Sequence, residues 1–164
     1  MESPYANLFL AIQDRILEKV PEIKYIDQNL GQYMNEEFRK QMLFPCVLID
    51  FSSTSFSELQ GNIQFGDVTI VATSFYDIWN NTNSLTPPLI KEAGLKYLEI
   101  EQKIFMALQG WNPDYCEALN RTQSKSHNAN EMGLMVKENT FTTTFEDYSC
   151  DDNTPKVPIS LRIE

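Results

Sequence analysis

Histidine is almost missing from this chain, with only His127 among 164 residues. That excludes two-histidine metal sites and leaves any serine-type triad dependent on one imidazole. Its setting, KSHNANE, is polar and loop-like, which favours an exposed side chain over a catalytic base. Cysteine is scarce as well: Cys46, Cys116 and Cys150 form an odd set with no Cys-x2-Cys spacing. A disulfide framework and a zinc knuckle are thereby excluded, and reduced thiols in mostly structural positions are expected. Positive charge is short too, with 13 Lys and Arg against 23 Asp and Glu and a net charge of −10. A surface that grips nucleic-acid phosphates does not fit that balance. Arg121 with Lys125, and Arg39 with Lys40, promise only small basic spots. No apolar run approaches the roughly eighteen residues of a bilayer span, so no membrane association is expected. Glu2 stands where a signal peptide has a basic region, and Gln13, Asp14 and Arg15 interrupt the apolar residues that follow, so no secretory leader is expected. Phosphate-binding and nucleophile-elbow motifs are lacking, and neither catalytic residue, cofactor nor metal is expected.

What is present is a globular composition, 42% apolar and 12% aromatic. Residues 1–148 read as one domain, and 149–164 as a linker leading to a terminal strand or arm. Ser3 and Pro4 form an N-cap and first-turn pair, and Tyr5, Leu8, Phe9, Ile12, Ile16 and Val20 then recur at helical spacing up to Pro21. A short exposed strand turning at Gly31 follows, and residues 35–41 are too few for assignment. Residues 46–51 read as a buried strand that ends at a serine cluster. From Asn62 to Trp79 both faces of an extended segment are apolar, with Val68, Ile70, Ala72, Tyr76 and Ile78 against Val71, Phe75 and Trp79. It is too long for one flat strand, and the alternation begun by Ile63 and Phe65 shifts phase at Gly66. A bulge or turn is expected there, with a hairpin arm around Gly61 projecting from the domain.

Thr86 is the expected cap of a second helix opened by Pro87 and Pro88, whose apolar face runs from Ile90 to Ala107 and which closes at Gly110. Gly94 inside it should cost about 1 kcal/mol against alanine. Residues 119–126 and 134–147 predict two antiparallel strands joined by a polar loop from His127 to Gly133, with Phe141, Thr143 and Phe145 opposite to Thr140, Thr142 and Thr144. The resulting fold class is α+β: a mainly antiparallel sheet, two principal helices packed on it, and a possible projecting hairpin. Glu99 and Glu101 diverge on a helix and cannot easily share a site. Glu146, Asp147, Asp151 and Asp152 lack the spacing and glycine of a calcium loop. Tyr76, Trp79, Phe141 and Phe145 read as core in preference to a base-stacking platform.

Taken in order, LFLAIQDRILEKVPEIKYIDQNLGQY, FPCVLIDF, GDVTIVATSFYDIW, IEQKIFMALQGW, LNRTQ and TFTTTFEDYS resemble the tail terminator or tail-completion proteins of tailed bacteriophages, especially those of prophages in Bacteroides-like bacteria. The resemblance spans roughly residues 7–149. It implies a small α+β protomer that assembles into a ring, usually a hexamer, on the head-proximal end of the tail tube. Its implied partners are other copies of itself, the tail-tube protein and the head–tail connector, and its implied location is the virion, after assembly in the host cytoplasm. No specific nucleic-acid binding is expected, since an acidic channel lets DNA slide past. The residues nominated for the ring interface are Gly61, Phe65, Asp67, Ile159 and Leu161, and for lumen charge Glu58, Asp67 and Glu131. Two other classes remain open: a cytoplasmic small-molecule binder or enzyme using a carboxylate pair with His127, and a monomeric adaptor that takes a peptide by strand addition.

Overall fold

Helix α1 begins where its cap predicts. In a computed structural model of the chain, which describes residues 3–78, 80–127 and 131–151, α1 spans Pro4–Lys19 and Ser3 Oγ accepts from the Ala6 N–H at 3.4 Å. Trp79, Asp152 and the nominated arm residues Ile159 and Leu161 lie outside the described residues. Strand β1, Tyr25–Gln28, is followed by Gly31 at a φ of 74°, a left-handed position suited to glycine. Asn35 then caps one helical turn, α2, Glu36–Arg39, by accepting from Glu37 N at 2.9 Å.

Strands β2, Cys46–Glu58, and β3, Gln64–Tyr76, follow, then helix α3, Pro88–Leu108, and strands β4, Asn120–Ser126, and β5, Met135–Asp147. They form a five-stranded sheet in the order β1-β2-β3-β5-β4, antiparallel except for β1 beside β2. The α+β expectation with a mainly antiparallel sheet therefore stands. Both long helices lie on one face. Leu8, Ile12 and Ile16 of α1 and Ile100, Ile104 and Leu108 of α3 bury against Val47, Ile49, Val68, Ile70, Phe141 and Phe145 of the sheet. Each such side chain contributes about 1.5–3 kcal/mol, and Ile12→Ala would cost about 2–5 kcal/mol. Tyr76, Phe141 and Phe145 belong to this core, as read from the pattern.

Several local expectations are corrected. Strand β2 does not stop at the serines but continues through them to Glu58, because β3 supplies a partner for every pair down to Glu58 and Gln64. Gly66 makes no bulge: it pairs with Phe56 and Phe145 inside an unbroken β3. A Cβ there would meet the rings of Phe145 and Phe56 at 3.0 and 3.1 Å, which is why glycine fits. The irregularity falls instead in β2, between Phe51 and Ser53, and a second one in β4 between Arg121 and Gln123. The chain reverses at Gly61 and Asn62, both at positive φ, so the expected hairpin exists with Gly61 at its tip. Thr86 does not cap α3; Pro87 holds that position with no side-chain cap. Ile90 and Ala93 are exposed, so the buried stripe of α3 begins later than its periodicity indicates. Ile78 falls beyond the end of β3.

Candidate functional site

Register decides what the second face of the sheet presents. Phe75 and Val136 lie opposite each other, as do Thr73 and Glu138, and Val71 and Thr140; Asp50 pairs with Val71 and Lys125 with Glu138. Alternation puts all of these on the face without the long helices. Part of it is covered by a small apolar cluster in which Met42, Cys46, Leu48, Phe75, Leu134 and Val136 are buried, and the Tyr33 ring packs 4.7 Å from that of Phe75. Burial pushes the Cys46 thiol up to about 12, so it is packing and not a nucleophile. Beyond the cluster the face is half-exposed and rich in threonine: Thr69, Thr140, Thr142 and Thr144.

Between the cluster and the threonines lies a groove of about 570 Å³. Asp50, Val71, Thr73 and Glu138 form its floor, Tyr33 and Met34 one wall, and His127, Glu131 and Met132 the other. His127 Nε2 lies 3.0 Å from Glu138 Oε2, and Lys125 Nζ lies 4.0 Å from Glu138 Oε1. The His127 main-chain N–H also donates to Val136 O at 3.0 Å, fixing the start of the loop. His127 is half-exposed, in keeping with its polar context. Asp50, Thr73, Tyr33 and Met34 were not signalled by any local motif. They meet only because β2, β3 and β5 are neighbours.

A second polar group lies under α3. The buried Tyr76 hydroxyl donates to Glu101 Oε1, and Asn139 Nδ2 donates to Glu101 Oε2 at 2.8 Å. Burial, and after it the Glu101 charge, holds the Tyr76 phenol well above its ordinary range. Glu99 is exposed while Glu101 reaches the sheet, so the two carboxylates diverge as their spacing requires. Among the described residues no group of three His, Cys, Asp or Glu side chains is placed to hold a metal ion.

The nominated interface and lumen residues scatter. Gly61 sits at the hairpin tip, while Phe65 and Asp67 stand on the open face, opposite Glu146 and Thr144. Glu131 is at the rim of the groove. Glu58 pairs with Gln64, and so belongs to the opposite face from Asp67. Arg121 and Lys125 also separate: the Arg121 guanidinium lies over the Phe105 ring of α3 at 3.7 Å, while Lys125 faces Glu138. No family model matches this chain, and no curated protein matches it either.

Proposed function

We propose that this chain is a non-enzymatic phage structural protein, a tail terminator that closes the tail tube as a ring and joins it to the head connector. The observation that supports this reading best is the pair of open edges on the sheet. Strand β1 covers β2 only at Cys46 to Ile49, so among the described residues 51–58 of β2 have no partner on that side. At the other end of the sheet, β4 has no outward partner strand among the described residues. Its seven residues span about 24 Å. The sheet order makes β4 antiparallel to β2, so β4 of one copy can extend the free stretch of β2 in the next. Such a contact is head-to-tail, and it produces a closed ring when the rotation between copies closes.

Charge supports the same reading. Asp50, Asp67, Glu138 and Glu146 stand on the open sheet face with Lys125. A face of this sign turned toward a channel repels phosphates and lets DNA pass. The test is electron microscopy and sedimentation of the protein alone and with tail-tube protein. Rings, or caps on the ends of tubes, are expected. A strict monomer under both conditions overturns the proposal.

A further inference from the structure

The groove has a feature that ring assembly does not use. Thr73 is only 5% exposed and its side chain lines the groove, yet its hydroxyl makes no hydrogen bond among the described residues. Among the described residues the buried polar side-chain atoms without a partner are Glu22 Oε2, Ser74 Oγ and Asn139 Oδ1, so the Thr73 hydroxyl is open to the groove, where a ligand or water completes it. On either side of β3 stands a carboxylate, Asp50 on β2 and Glu138 on β5. Two strand spacings and one two-residue step separate them, about 12 Å between their Cα atoms. That is too far for the two to converge on one ion. Val71 lies between them, and the walls are Tyr33, Met34 and Met132.

We propose that this groove binds a linear aliphatic diamine as its dication. One ammonium is held by Glu138 and donates to the Thr73 hydroxyl, the methylene chain crosses Val71 between the methionines, and the second ammonium pairs with Asp50. Hydrogen bonds of about 2.8 Å at each end leave about 6–8 Å between the two nitrogens, the length of a four- or five-carbon chain. Glu138 can accept the ligand while keeping both His127 and the longer pair with Lys125, since a carboxylate offers about four acceptor sites. Neither Asp50 nor Glu131 has an ion-pair partner among the described residues, so the groove enters binding with uncompensated negative charge. A volume of about 570 Å³ is within the usual range for small-molecule sites.

The test is titration of the full chain with 1,5-diaminopentane, followed by amide chemical shifts and calorimetry. Pentylamine and pentane-1,5-diol serve as the singly charged and neutral comparisons. Saturable one-to-one binding is expected, with shifts centred on Val71 and Thr73, pentylamine about tenfold weaker, and the diol without effect. Asp50→Asn and Glu138→Gln should each weaken binding about three- to tenfold, the scale of a partly exposed ion pair. Thr73→Val should weaken it as well, and Glu99→Gln on the exposed side of α3 should leave it unchanged. Asp50 is exposed, so its variant tests the idea without disturbing the fold. Binding that never saturates, that the diol matches, or that falls equally in Glu99→Gln and Asp50→Asn overturns the proposal.

Discussion

Replacing Tyr76 by phenylalanine isolates one hydrogen bond in the seam between α3 and the sheet. The ring is fully buried and packs 5.6 Å from that of Tyr97, and phenylalanine keeps those contacts. What is lost is the hydroxyl donor to Glu101, leaving that carboxylate with Asn139 as its hydrogen-bond donor among the described residues. Hydrogen bonds to a charged acceptor are worth about 1.5–3 kcal/mol. Glu101 is only half-buried, so water can replace part of the loss, and the lower end, about 1.5 kcal/mol, is the expected cost. For a domain of this size that lowers Tm by about 3–6 °C. Urea unfolding at neutral pH measures it directly, with an unchanged denaturant slope showing that both variants unfold alike. Glu101→Gln and the double variant complete a cycle whose coupling should be about 1 kcal/mol. A Tyr76→Phe protein within about 0.3 kcal/mol of the parent, or strictly additive single variants, would refute the assignment of this bond as a structural tie.

Alkylation at mildly basic pH should add one group to the native protein, at the exposed Cys150, and three in denaturant. Burial raises Cys46 to about 12 and Cys116 to about 11, so native labelling of Cys46 at the rate of Cys150 would contradict its placement in the core. The hydrogen bond from Lys103 holds the Glu22 carboxyl below its ordinary value of 4.5. Its contribution is therefore complete above about pH 4.5 and disappears as pH falls through the native value. Glu22→Gln should cost about 0.5 kcal/mol at pH 7 and progressively less as pH falls below 4.5, and a loss that does not change with pH would show that the ion pair is not its source.

What could be read from sequence was whatever is local. Ser3, Pro4 and the stripe from Leu8 to Ile16 declare α1 because cap and periodicity lie within a few turns. The turn at Gly61 and the two faces of β5 are equally local. The second half of β2 was hidden because residues 52–58 are mostly serine, threonine and glutamate, and what makes them a strand is a partner, not burial. The phase shift at Gly66 was visible but its cause was misread. Phe65 serves the open face and Gly66 the other, so both faces are in use and no residue is inserted. Gly94 is likewise no mere helix weakness: a Cβ there would come within 2.6 Å of the Thr82 methyl and 3.0 Å of Asn80 O. The groove was illegible for a stronger reason. Asp50, Thr73 and Glu138 belong to three strands whose order is set by pairing, and no motif spans them.

The open edges raise a question of their own, since unpaired strands invite indiscriminate association. Both edges carry protection. Strand β4 reads NRTQSKS, with no large apolar side chain, and its irregularity at Thr122 breaks the ladder. The free stretch of β2 follows the irregularity at Ser52 and is built largely of serine and threonine up to Glu58. Pairing these two edges therefore buries little apolar surface, and each added copy brings a net charge of −10 against its neighbours. An isolated pair of copies gains a few backbone hydrogen bonds, each worth about 1 kcal/mol, against that repulsion and the entropy of association. A closed ring gains one further contact at no added loss of translational freedom, and a tube end that holds the copies in place supplies the rest. In this reading, low self-association in free solution and firm assembly on a template follow from the same polar edges.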